Sequence, residues 1–154
     1  MVDGGINNMF LNELNEKESV AFVNLVSEFA NVDNTFAKEE KEVLDGYLEE
    51  LNLNKDVIGK VPFNEAIETL NGSTQRIKNI VYFELVGIAL VDGEYEEKEI
   101  EFLDGIAEEF GISRVKKIAI ANYFYNFTDV YKFSVVESEN KIELLKEQAE
   151  AIIA

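Results

Sequence analysis

An internal repeat is the feature that most constrains the fold of this chain. A gapless shift of 59 residues aligns residues 21–54 with residues 80–113, and ten of the 34 aligned positions are identical. The identical pairs are Ala30/Ala89, Val32/Val91, Asp33/Asp92, Glu40/Glu99, Glu42/Glu101, Leu44/Leu103, Asp45/Asp104, Gly46/Gly105, Glu49/Glu108 and Glu50/Glu109. Many other positions exchange one apolar residue for another, as in Leu53/Ile112. The repeat predicts two pseudo-symmetric halves within a single domain that spans residues 1–154.

Each copy has the pattern of a helix, a tight acidic turn and a second helix. Apolar residues recur at helical spacing over 20–32, and almost every residue is apolar over 77–91. The broad apolar surface predicts that the first helix of each copy is central. The second helix is predicted over 37–51 in one copy and 96–110 in the other, with its charged face towards solvent.

Cap and turn residues mark the ends of further helices. Asn15, followed by Glu18, matches a capping box. Other predicted ends are a start at Pro62, caps at Ser73, Ser113 and Ser138, and a C′ glycine at Gly111. No stretch shows the apolar–polar alternation of a strand. The predicted fold class is all-α, with about seven helices arranged as two pseudo-symmetric helix-turn-helix halves.

The composition excludes several classes of function. The chain contains no His and no Cys, which removes thiol nucleophiles, disulfides, Ser-His-Asp triads and the usual zinc ligands. Its formal net charge of −17 argues against nucleic acid as a partner, because such binding depends on neutralising phosphates. No signal peptide or membrane-spanning run is present, so we expect no direct membrane insertion and a cytoplasmic location. The charge suits solubility, hard cations or a basic protein partner.

The acidic turns suggest one candidate site for a hard cation. Five carboxylates fall within eight residues at the second turn, at Asp92, Glu94, Glu96, Glu97 and Glu99. Ca²⁺ and Mg²⁺ prefer oxygen ligands, and the candidate metal ligands are Asp92, Glu99, Asp33 and Glu40. The structural interpretation of these residues is that they cap the helices on either side of the turn.

The turns do not match the EF-hand pattern. With Asp92 as the first loop position, the sixth is Glu97 instead of Gly and the twelfth is Leu103 instead of Glu. The first copy departs at the same positions, Lys38 and Leu44. Any site for Ca²⁺ or Mg²⁺ would therefore be of another kind, and no other cofactor is expected.

Two features suggest a surface for a protein partner or for a homodimer. A basic cluster that includes Arg114 and Lys117 opens a helix where positive charge opposes the macrodipole, so these residues are expected to meet carboxylates of a neighbouring helix or of a partner. The same helix is rich in aromatic residues, and Tyr125 and Phe133 lie on faces other than the one shared by Tyr123 and Phe127. Core packing explains most of these rings, whereas Tyr125 and Phe133 are candidates for partner binding.

The second turn resembles the tellurite-resistance TerB family. The resemblance is carried by residues 89–103, which read ALVDGEYEEKEIEFL, and by residues 106–113, which read IAEEFGIS. It covers roughly residues 20–133 and extends to the TerB-like segments of some J-domain co-chaperones. The resemblance implies an all-helical domain of two pseudo-symmetric halves that is non-catalytic and associated with stress responses and protein assembly. Asn34 stands where the family motif has Gly, and both copies lack the usual Ser or Thr cap before the acidic run.

Three hypotheses of function follow from these observations. The first is a non-catalytic acidic helical module that acts by protein–protein interaction in the manner of TerB-like domains. The second is a Ca²⁺- or Mg²⁺-binding regulatory domain of the same fold. The third is an enzyme that uses paired carboxylates, and nothing in the sequence distinguishes such a pair from solvated acidic residues.

Overall fold

The computed structural model describes the backbone of residues 10–32, 37–91, 97–130 and 147–154, and the side chains of residues 10–30, 42–89, 97–124 and 147–154. Helix α7 covers 147–153. The other α-helices are α1 (Glu16–Val32), α2 (Ala37–Glu50), α3 (Phe63–Asn71), α4 (Gln75–Val91), α5 (Glu97–Phe110) and α6 (Arg114–Val130), with single 3₁₀ turns at Leu11–Glu13 and Lys55–Val57. No strand occurs in the described part of the chain, so the predicted all-α class is confirmed.

The helix bounds follow the sequence repeat. Helix α1 ends at Val32 and α4 ends at Val91, which are equivalent positions under the shift of 59 residues. Helix α2 packs against α1, and α5 packs against α4, so each copy forms one helix pair. Helices α1 and α5 are also in contact, which joins the first copy to the second.

The second helix of each copy ends in the same way. Asn52 and Gly111 are equivalent positions, and both have a left-handed backbone, with φ of 57° and 68°. The N–H of Leu53 donates to the carbonyl of Leu48 at 2.8 Å, and the N–H of Ile112 donates to that of Ala107 at 2.9 Å. This is the Schellman pattern, and it confirms the prediction of a C′ glycine at Gly111.

The predicted capping box at the start of α1 is confirmed. The N–H of Asn15 donates to Glu18 Oε1 at 2.9 Å, and the N–H of Glu18 donates to Asn15 Oδ1 at 2.8 Å. Together these bonds satisfy two amide groups that the helix itself leaves without acceptors.

Of the caps predicted for α4 and α6, the one for α6 is confirmed and the one for α4 is wrong. Ser113 caps α6 by accepting a bond from the N–H of Lys116 at 3.1 Å, as expected. Ser73 does not cap α4, because Thr74 Oγ1 accepts from the N–H of Ile77 at 3.2 Å. The hydroxyl of Ser73 instead donates to Glu18 Oε2 at 2.6 Å.

Aromatic rings of α4 and α6 fill the centre of the second half. Phe83 is fully buried, and its ring centroid lies 4.8 Å from that of Phe124 and 5.1 Å from that of Tyr123. Phe10, from the segment before α1, meets Phe83 edge-on at 6.0 Å. Core packing of Tyr123 and Phe124, the favoured interpretation of the sequence, is therefore what the structure shows.

One buried position on α5 was assigned to the wrong residue. The spacing of apolar residues over 96–110 predicts that Ile100 faces inward with Leu103, Ile106, Ala107 and Phe110, but Ile100 is 37% exposed and Glu99 is 1% exposed. The buried side of α5 follows Glu99, Leu103, Ile106, Ala107 and Phe110. Because successive helical residues are separated by about 100°, Ile100 lies at the margin of this stripe.

Helix α7 is held against the start of α4. Arg76 forms ion pairs with Glu13 at 2.7 Å and with Glu150 at 2.6 Å, and these pairs hold the pKa of both carboxyls below the usual range. Asn79 Nδ2 donates to the carbonyl of Ile153 at 2.9 Å. These bonds join the segment before α1, the helix α4 and the last helix.

Gly87 sets the distance between α4 and α6. A methyl carbon at this position would lie 2.9 Å from Cζ of the buried Phe124 ring. We therefore expect Gly87→Ala to lower the free energy of unfolding by about 1–3 kcal/mol, although Ala favours helix formation. Gly105 on α5 has no atom within 4 Å of such a carbon. Urea titration measures both variants. The control Gly105→Ala should raise the free energy of unfolding by about 0.4–1 kcal/mol. A decrease for Gly105→Ala equal to that for Gly87→Ala would contradict this explanation.

Candidate functional site

Most of the predicted cation ligands lie outside the described part of the molecule. This is true of Asp33 and Asp92 and of the side chain of Glu40. Glu99 is described, and its side chain is buried in the first turn of α5. Among the described residues there is no group of three or more acidic side chains arranged to hold a metal ion. The cation site therefore stays a prediction.

A thermal melt distinguishes a cation site from helix caps. We expect millimolar Ca²⁺ or Mg²⁺ to raise the Tm of the wild type and of Asp92→Asn slightly and equally, because the ions screen a chain of net charge −17. A specific site at about 100 times its dissociation constant would instead stabilise the wild type alone by roughly 2.7 kcal/mol. A shift confined to the wild type at fixed ionic strength would therefore establish the cation hypothesis.

A groove of about 640 Å³ lies between α4, α5 and α6, and we call it the α5–α6 groove. Its floor is formed mainly by Tyr82, Val86, Ala107 and Ala121. Three of these four side chains are aliphatic, and Tyr82, Val86 and Ala107 are buried. The groove therefore offers a mostly apolar floor that is open to solvent.

The two rims of the α5–α6 groove carry opposite charges. Asp104 and Glu108 lie on the α5 side, and Arg114 and Lys117 lie on the α6 side. Lys117 Nζ forms an ion pair with Asp104 at 3.3 Å, so the expectation that Lys117 meets a neighbouring carboxylate is confirmed. Arg114 is exposed, and none of the described carboxylates pairs with it.

An exposed apolar pair stands beside the basic rim. Val115 is 78% exposed and Ile118, which lines the α5–α6 groove, is 51% exposed. The two residues are one helical turn apart on α6, so they share a face. Large apolar side chains at such exposure are unusual in the described part of this protein, where Ile100 is the other example.

The structure brings together two of the four predicted partner-binding residues. Arg114 and Lys117 both lie on the rim of the α5–α6 groove. The side chain of Tyr125 and all of Phe133 lie outside the described residues, so their predicted role stays a prediction. Val115 and Ile118 were not predicted from the sequence as part of a partner surface. The available signal was the spacing of these two apolar residues among the basic residues of the first turns of α6.

A buried polar pair between α2 and α4 was also missed. The Tyr47 hydroxyl donates to Glu84 Oε1 at 2.9 Å, and both side chains are buried. Glu84 Oε2 has no hydrogen-bond partner among the described residues. Burial raises the pKa of Glu84 well above its usual range and raises that of Tyr47 as well. The signal in the sequence was a single acidic residue within the apolar stretch 77–91.

A second groove, of about 600 Å³, lies between α1, α3 and the connection 52–61. Asn24 fixes that connection, because its amide donates to the carbonyls of Val20 and Val57 and its oxygen accepts from the N–H of Gly59 at 2.7 Å. Both polar atoms of this buried amide group are therefore bonded, the nitrogen to α1 and to the connection and the oxygen to the connection alone. The arrangement is structural.

The fold and the grooves define an acidic all-α protein with an exposed apolar and basic edge on α6. Comparison with family models, curated proteins and solved structures found no match to this chain. Across the ranges that the structure describes, no helix has the length and apolar character needed to span a membrane.

Proposed function

We propose that this protein is a non-catalytic, acidic helical module that acts by binding another protein chain through the α5–α6 groove. The observation that carries the proposal is the exposure of Val115 and Ile118 beside the mostly apolar floor of this groove. An exposed apolar patch next to a groove, with charged residues around it, is typical of a protein-binding surface. The resemblance to the TerB family, with its association with stress responses, supports the same proposal.

The charge of the rims favours a protein over other macromolecules. Nucleic acid would meet a chain of net charge −17, and the two basic rim residues face two acidic ones across the groove. A protein segment can place an apolar side chain on the floor and polar groups against both rims.

Site-specific photo-crosslinking in the host cell tests this proposal. A photoreactive amino acid at position 115 should form covalent adducts with another polypeptide, whereas the same probe at the exposed position Glu50 of α2 should not. The photoreactive residue replaces Val115, whose side chain is 78% exposed, so the substitution should not disturb folding. Absence of adducts at position 115 above the level at position 50 would overturn the proposal.

A further inference from the structure

We infer that the chain bound at the α5–α6 groove is a second copy of this protein, so that the molecule is a two-fold symmetric dimer that packs α6 against α6. This inference rests on the proposed function and names the partner. Three observations carry it: the distribution of charge around the groove, the spacing of exposed residues on α6, and the direction of that helix.

The α5–α6 groove is electrically neutral on a strongly acidic molecule. Its rims hold two acidic residues, Asp104 and Glu108, and two basic residues, Arg114 and Lys117. The rest of the chain therefore carries the whole net charge of −17. Two copies repel each other least when they meet at this neutral face, where the remaining charges stay at the periphery and are screened within about 8 Å at physiological salt.

A two-fold contact requires a surface that complements itself. In such a contact, the same patch is used by both molecules, so each acidic group must find a basic group of the other copy. Lys117 and Asp104 are already paired within each copy, so the α5–α6 groove satisfies this condition through Arg114 and Glu108, which lie on opposite rims. An acidic protein that lacks such a neutral face would be repelled by the net charge of the chain.

The exposed side of α6 has the spacing of a helix–helix seam. Val115, Ile118 and Asn122 are exposed and follow one another at intervals of three and four residues. This is the a/d spacing with which two helices pack side by side. The seam extends over about 10 Å of helix, and its middle lies next to Ile118.

The direction of the two helices follows from their charges. A parallel arrangement would place the basic first turns of both α6 helices together, with Arg114 next to its counterpart. An antiparallel arrangement separates these turns and aligns the helix dipoles favourably. The two-fold axis then passes close to Ile118, and the two Ile118 side chains contact each other.

Because the chain contains no cysteine, a single introduced cysteine tests this geometry directly. Ile118→Cys should form a disulfide-linked dimer on mild oxidation, since residues at a two-fold axis meet the distance that a disulfide requires. Glu50→Cys, on the exposed side of α2, should stay monomeric under the same conditions. Equal crosslinking of the two variants, or none at position 118, would overturn the inference.

Sedimentation equilibrium of the purified full chain gives the independent measurement. We expect the wild-type dimer to have a dissociation constant of about 1 mM or lower. Ile118→Asp should raise this dissociation constant at least about tenfold. Ile100→Asp, which changes an exposed isoleucine on α5, should dimerise like the wild type. Far-ultraviolet circular dichroism establishes that both variants are folded.

The outcomes separate the inference from the proposed function. A wild type that stays monomeric, or a dimer that survives Ile118→Asp, overturns the inference. If the probe at position 115 still forms adducts with a different protein, the proposed function stands and its partner is not a second copy. If neither a dimer nor an adduct forms, both fail.

Discussion

Phe83→Ala is expected to lower the free energy of unfolding by about 3–5 kcal/mol, which is a large part of the stability of a domain of this size. The Phe83 ring is fully buried, and it contacts the rings of Phe10, Tyr123 and Phe124. Its removal takes away apolar burial and leaves a cavity between α4, α6 and the segment before α1. Urea titration followed by circular dichroism measures the change.

The matched control for this prediction is Phe63→Ala at the start of α3. The Phe63 ring is only partly buried and lies at the edge of the core, 5.5 Å from the ring of Phe102. Phe63→Ala should therefore lower the free energy of unfolding clearly less than Phe83→Ala does. Equal losses for the two variants would show that the ring cluster around Phe83 is not the centre of the core.

Tyr47→Phe is expected to lower the free energy of unfolding by about 1–3 kcal/mol. The ring keeps its edge-on contact with Phe22 at 5.0 Å, so packing changes little. The substitution removes the hydroxyl that donates to Glu84 Oε1, and it leaves the buried carboxyl without that bond. The double variant Tyr47→Phe with Glu84→Leu should recover most of the loss, because it removes both polar groups. A double variant no more stable than Tyr47→Phe would contradict this account.

The same pair predicts how stability depends on pH. Burial raises the pKa of Glu84 in the folded state, whereas in the unfolded chain it stays near 4.5. Between these two values the folded state binds one proton more than the unfolded state, so the free energy of unfolding falls as pH rises. The contribution of Glu84 is therefore complete below about pH 4.5 and is lost as pH increases through the raised pKa.

Glu84→Gln isolates this contribution. The amide keeps the shape of the side chain and accepts the Tyr47 hydroxyl, but it does not titrate. Urea titrations between about pH 5 and pH 9 avoid the pKa of Tyr47, which burial raises above its ordinary value of 10. The wild type should lose stability across this window relative to Glu84→Gln, and parallel curves for the two proteins would refute a raised pKa at Glu84.

The sequence by itself determined the helices and their order. The repeat and the apolar periodicity depend on contacts between residues that are close in the chain, and so do caps and C′ residues. The helix ends at Asn15 and Gly111 were therefore predictable. The all-α class followed from the helical periodicity and from the absence of strand-like alternation. The cap of α4 was placed one residue early because Ser73 and Thr74 are both good caps, and their tertiary contacts decide between them.

The tertiary structure alone decided which side chains are buried together and which are left exposed. The contact of Tyr47 with Glu84 joins residues 37 apart, and no periodicity of either helix indicates it. Under the repeat, Glu84 corresponds to the buried Leu25 and Tyr47 to the buried Ile106, so each half contributes one polar residue to the pair and has an apolar residue at the equivalent of the other. The α5–α6 groove has the same origin, because the exposure of Val115 and Ile118 depends on how α6 lies against α4 and α5. Local patterns fix helices, whereas burial and surface depend on packing between helices that the pattern of a single helix does not encode.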